Sequence, residues 1–98
     1  MKQVKFVDQL EIIINSIKLT EDPIEKLHIL YTLPVEALPL SGHDLTLLPR
    51  LKELGCFTVG DLFVKIPDVG HVLSLKERIR EYIRRLEVFQ KGDENVSS

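Results

Sequence analysis

Leu51-Lys52-Glu53-Leu54-Gly55-Cys56-Phe57-Thr58-Val59-Gly60-Asp61-Leu62 decides the fold, because it holds the end of one helix and the start of the next. Gly55 supplies the left-handed residue that commonly follows a helix C-terminus. Three residues on, Thr58 offers a side-chain oxygen to an orphan backbone N–H, and Asp61 stands at N3, where a carboxylate completes such a cap. Upstream, Thr46 is read as the cap of a short helix over 47–54, with Pro49 tolerated in its first turn. Downstream, Val59, Leu62, Phe63 and Ile66 form the apolar set of the next helix, which Pro67 stops. Cys56, at the junction, suits a buried small hydrophobe rather than a reactive thiol.

Toward the N-terminus, Phe6/Val7, Leu10, Ile13/Ile14 and Ile17 recur in steps of three and four and predict a helix over 4–17. The block Ile12-Ile13-Ile14 is wider than one face needs, so part of it should be covered by another helix or a second chain. Asp22-Pro23-Ile24-Glu25 reads as the start of a second helix: Asp22 caps, Pro23 fits N1 and Glu25 closes a capping box. That helix presents Ile24, Leu27, Leu30 and Tyr31 and ends near Leu33, before Pro34. Residues 34–43, with Pro39 and Gly42, read as an extended connection. Beyond Pro67, Ser74-Leu75-Lys76-Glu77 reads as a capping box opening a last helix with the face Leu75, Ile79, Tyr82/Ile83, Leu86 and Phe89. The polar tail from Lys91 is expected to be mobile. No strand-like alternation occurs. The expected architecture is all-α, a single domain of five helices: an N-terminal helical extension (1–33), a helical domain (34–90) and a flexible tail (91–98).

With 98 residues, 44% hydrophobic and 29% charged, the chain has the composition of a globular domain that folds without a cofactor. It contains no run of about 18 apolar residues and no signal-peptide pattern near Met1, so a cytoplasmic location and no membrane contact are expected. The single cysteine excludes an internal disulfide and a cysteine-rich zinc site. His28, His43 and His71 are scattered without metal-ligand spacing, and no metal is expected. His43-Asp44 lacks a nucleophile in a recognisable context, and there is no P-loop or dinucleotide fingerprint; an enzyme is not expected. The net charge of −2 hides a division: residues 1–45 carry four lysines against seven carboxylates, while Lys76, Arg78, Arg80, Arg84 and Arg85 crowd the last helix.

The stretch from Leu51 to Leu62 resembles the core of the C-terminal domain of the bacterial RNA polymerase α subunit, in which a Leu-Lys pair and a short joint lead into Gly-Asp-Leu. Pro34-Val35-Glu36-Ala37-Leu38 with Leu40-Ser41 is similar to that family's leading segment. Pro67-Asp68-Val69-Gly70, then Ser74-Leu75 with Glu77 and Ile79, is similar to its hairpin and last helix. The resemblance covers residues 34–88. It implies a helix-hairpin-helix core, here with two extra N-terminal helices, whose hairpin (67–73) and adjoining helix start offer backbone N–H groups to phosphates. Gly70 and Ser74 match the family's Gly-Lys-Ser run in type.

The resemblance therefore implies a transcription-associated binding module that contacts DNA or a transcription protein through Gly70, His71, Ser74, Lys76, Arg78 and Arg85. The chain departs from the family at two points. His71 follows Gly70 where a lysine is expected, in a longer loop, and the segment from Ser41 to Leu48 is longer and holds no arginine. These departures motivate the alternative, a protein-interaction or dimerisation module that has lost DNA binding, with a homodimer through the first helix and Ile13 in its contact.

Overall fold

The structure is a computed structural model that describes the backbone of residues 5–97 and the side chains of residues 5–87. Among the described residues the chain forms five α-helices and no strand: α1 (Phe6–Ile17), α2 (Pro23–Thr32), α3 (His43–Glu53), α4 (Val59–Lys65) and α5 (Gly70–Ser97). A 3-10 turn, Val35–Ala37, lies in the connection expected to be extended. Val4, where the first helix was expected to begin, and the side chain of Phe89, assigned to the face of the last helix, lie outside the described residues.

The decisive stretch folds as its residues dictate. Leu54 ends α3 and Gly55 takes φ 78°; Cys56 N–H donates to the Leu51 carbonyl (2.9 Å) and Gly55 N–H to that of Lys52 (3.1 Å). These two bonds satisfy carbonyls that a helix end otherwise leaves open. Thr58 accepts from Asp61 N–H at 3.1 Å while the Asp61 carboxylate accepts from the N–H groups of Thr58 (3.2 Å) and Phe57 (3.1 Å). Asp61 is held below the usual carboxylate range by these backbone donors, the Phe57 N–H first. Because a Cβ on Gly55 would meet nothing within 4 Å, Gly55→Ala isolates the left-handed backbone cost. We expect it to remove about 1–2 kcal/mol, read as a lower thermal midpoint by circular dichroism; an unchanged midpoint would mean the turn relaxes without the motif.

Two helix starts, and the capping of a third, differ from the sequence reading. Asp22 caps α2 through Ile24 N–H (3.0 Å), but Glu25 does not close a box: it accepts from Lys18 at 3.0 Å across the α1–α2 corner. Helix α3 begins at His43 behind Gly42 (φ 57°), and the Thr46 hydroxyl donates to the His43 carbonyl (2.6 Å) instead of capping. Pro49 consequently sits inside the helix, where it cannot donate to the Leu45 carbonyl; both residues are exposed, so water can serve that carbonyl. Helix α5 begins at Gly70 (φ 52°), one turn before Ser74, which shortens the expected 67–73 hairpin to a joint of a few residues around Pro67 and Asp68. The backbone remains helical to Ser97, through the segment expected to be a tail.

One core joins all five helices. Val7, Leu10 and Ile14 from α1, Leu30 from α2, Leu51 from α3, Val59 and Leu62 from α4, and Val72, Leu75, Ile79, Tyr82 and Leu86 from α5 form a single buried cluster. The buried α5 residues recur in steps of three and four, a continuous stripe on which α1, α2 and α3 pack. Helices α1 and α2, set apart above as an extension, thus share the core of the rest. On α2 the stripe is narrower than expected, since Ile24 and Tyr31 are exposed. Gly60 lies in the first turn of α4, where an added Cβ would stand 3.1 Å from the Tyr31 carbonyl; its lack of a side chain lets α4 approach α2. An antiparallel bridge between Pro34 and Thr58 fastens the same region: Val35 N–H donates to the Phe57 carbonyl (3.0 Å) and Val59 N–H to that of Leu33 (2.9 Å).

Candidate functional site: the charged face of α5 and the α1–α2 corner

The six residues expected to form a binding face are placed in different surroundings. Gly70 and His71 stand at the start of α5, where the exposed His71 ring stacks on His43 at the start of α3 (centroids 5.1 Å apart, planes 10° apart). Ser74 is exposed, and its carbonyl accepts from Arg78 Nε at 3.4 Å. Lys76 points inward. It is 2% exposed, and its ammonium donates to the Ile66 carbonyl and to Asp68 Oδ1 (2.7 Å), 5.8 Å from the Phe63 ring centroid. The expectation that Lys76 belongs to an outer basic face is corrected: its place in the apolar stripe beside Leu75 carries it into the core, where it closes the α4–α5 joint.

Arg78 forms a bidentate pair with Asp44 (2.9 and 2.7 Å) and lies over the Phe6 ring at 5.1 Å, so one side chain ties α5 to α3 and α1. Hydrogen bonds from Arg78, assisted by its charge, hold the Asp44 carboxyl below its ordinary range against the opposing effect of burial. Arg85 donates to Asp8 of α1 at 3.1 Å. Arg80 reaches Glu77 (2.8 Å) and Asp68 (3.5 Å) and stacks over Phe63, and Arg84 reaches Glu77 at 3.5 Å. Each of the five cations that crowd the last helix, the three expected binding residues among them, therefore has a carboxylate partner within this chain.

A polar cluster with no local signature in the sequence lies between α1, α2 and α5. The Glu11 carboxylate accepts from the Lys26 ammonium, the Tyr82 hydroxyl and Asn15 Nδ2 (3.4 Å). Burial pushes the Glu11 carboxyl up, but the Lys26 and Tyr82 hydrogen bonds and the Lys26 charge outweigh it and leave it below the ordinary value. Burial, then the Glu11 contact, pushes the Tyr82 phenol well above its ordinary value. In front of this cluster opens a cavity of about 450 Å³ lined by Glu11, Glu21, Pro23, Lys26, Arg85 and Leu86.

Helix α1 resolves the isoleucine block. Ile14 is buried, Ile13 packs against the core, and Ile12 is 64% exposed. Ile13, expected in a dimer contact, is partly buried against the core of its own chain. Outward apolar residues at the corner are Ile17, Leu19 (85% exposed) and Ile24; Phe57, Val64 and Val69 are exposed elsewhere on the surface.

For chemistry the arrangement offers little. Cys56 is fully buried, with its thiol pushed up chiefly by burial. Among the described residues no group of three or more His, Cys, Asp or Glu could hold a metal ion, and no helix is long and apolar enough to cross a membrane. No family model, no curated protein and no solved structure matches this chain.

Proposed function

We propose that this chain is a non-enzymatic protein-interaction module that pairs with a second copy of itself through the α1–α2 corner. The observation that carries this is the cluster of exposed apolar side chains there, Ile17, Leu19 and Ile24, on a chain whose basic face is internally neutralised. Burial of such side chains supplies the driving force for association. Charge chemistry at the corner is self-complementary: Lys18 and Glu25, paired at 3.0 Å within one copy, can exchange partners across a twofold axis. Mass measured by light scattering across a concentration series tests it. A dimer that Leu19→Ser converts to monomer is expected; because Leu19 is an exposed loop residue, the substitution leaves the fold within about 0.5 kcal/mol of the parent. A parent that stays monomeric at the highest soluble concentration overturns self-pairing.

A second reading, a transcription-associated module that contacts DNA or a polymerase-bound protein through the start of α5, rests on the resemblance over residues 34–88 and on the exposure of His71 and Ser74 there. Anisotropy titration with a mixed-sequence duplex at low and moderate salt separates the two. We expect no salt-sensitive binding, because releasing a cation from its internal partner offsets the phosphate contact it would gain. Binding that weakens steeply with salt would put the second reading first.

A further inference from the structure

We infer that the cavity between α1, α2 and α5 is a binding site for an alkylammonium or guanidinium group carried on an apolar stem. The argument is an inventory of what its wall has left to offer. The cavity, about 450 Å³, is within the range of small-ligand sites. Its two cationic residues are engaged, Lys26 by Glu11 and Arg85 by Asp8. Glu21 at the rim is exposed and has no ion-pair partner among the described residues. The group left unpaired at the cavity is thus an acceptor. The wall itself carries two carboxylates (Glu11, Glu21) and two cations; because Arg85 is paired with Asp8, outside the wall, Glu21 is the carboxylate left without a counter-charge. A ligand head that only donates and carries positive charge fits this remainder, whereas a carboxylate or phosphate would meet Glu21 and find the cations occupied. Pro23 and Leu86 supply apolar walls for the methylenes behind the head, as lysine and arginine stems use elsewhere.

Two sources share this chemistry, a free di- or polyamine and the basic side chain of a protein segment. Amide-resolved NMR titration of the full chain tests the site with 1,4-diaminobutane, with Nα-acetyl-lysine N-methylamide, and with the corresponding blocked glutamate as the opposite charge. Saturable shifts centred on Glu11, Glu21, Lys26 and Leu86 are expected from the cations and not from the glutamate. Glu21→Gln should weaken binding several-fold without altering the remaining spectrum, because Glu21 is a surface residue outside the core. Tighter binding of the diamine assigns the site to free amines; binding of the blocked lysine at least as tight assigns it to a protein segment. Shifts that do not saturate, equal shifts from the glutamate, or an unchanged affinity in Glu21→Gln would each overturn the inference. It does not rest on pairing at the corner: the same titration on Leu19→Ser reads the cavity in a chain from which that contact has been removed.

Discussion

Replacing Glu11 by alanine is expected to lower stability by about 2–4 kcal/mol, a fall in thermal midpoint of roughly 10–25 °C for a domain of this size. The reason lies in what is left behind. Glu11 accepts three hydrogen bonds, and its removal strands the Lys26 ammonium, whose side chain is 15% exposed, and the Tyr82 hydroxyl, on a residue with no exposure. Breaking a fully buried ion pair from one side costs about 3–5 kcal/mol; the partial exposure of both partners lets water recover some of this. A double-mutant cycle with Lys26→Met apportions the pair, since the double variant no longer strands a charge and should recover part of the loss. Glu11→Ala within about 0.5 kcal/mol of the parent would show that the cluster contributes nothing to the fold.

The same cluster sets a pH dependence at both ends. The Glu11 carboxyl is depressed below its ordinary 4.5, as Asp44 is below 3.8, so each contributes stability that is present above those values and is lost as pH falls through the lower folded ones. The Tyr82 phenol is raised above 10.0, so its contribution is present below that pH and is lost as pH rises beyond it. Chemical denaturation across pH should show a plateau that falls on both sides, and Glu11→Ala should flatten the acid limb.

Lys76 carries the second large effect. Lys76→Ala should cost about 2–4 kcal/mol and Lys76→Met about 1–3, both read from denaturant midpoints at unchanged slope. Alanine removes the buried stem as well as the ammonium, whereas methionine keeps a stem and removes only the donors. What both lose is the bond to the Ile66 carbonyl, on a residue only 6% exposed, where an unpaired acceptor is costly. The Lys76 hydrogen bond also holds the Asp68 carboxyl below its ordinary value, but Asp68 is half-exposed and rehydrates when the lysine goes, so little is assigned to it. If Lys76→Met matches the parent, the ammonium is not what closes the α4–α5 joint.

The signals carried by a residue's own neighbours were legible in the sequence. Gly55 past a helix end, the Thr58–Asp61 box, Asp22 before Pro23 and the stop at Pro67 are all seen, because each is satisfied within a few residues of itself. The all-helical class and the buried face of α5 follow from the three-and-four spacing of apolar residues, which only a helix converts into one surface. A capping residue, in contrast, shows only that a helix can start there. Thr46 and Ser74 are competent caps, yet α3 and α5 start earlier, and the added turns bring Asp44 to Arg78, stack His43 on His71 and bury Val72. Those partners are distant in sequence, so no local pattern reports them.

The candidate site divides in the same way. The cations of the last helix and the surplus of isoleucines are visible in the chain, but their occupation is not. Lys76 turns inward because its stem extends a buried stripe and a carbonyl awaits it across the joint, and Arg78 and Arg85 are paired by Asp44 and Asp8, 34 and 77 residues away. Ile13 is partly covered by the core, while Ile12, Ile17, Leu19 and Ile24 stay exposed. The sequence by itself determined the class of fold and its local joints, which depend on backbone hydrogen bonds and side-chain periodicity over a few residues. Only the tertiary structure decided which charges are spent inside the chain and which apolar side chains stay exposed, because the pairing of charges and the burial of apolar faces depend on which distant segments share the core.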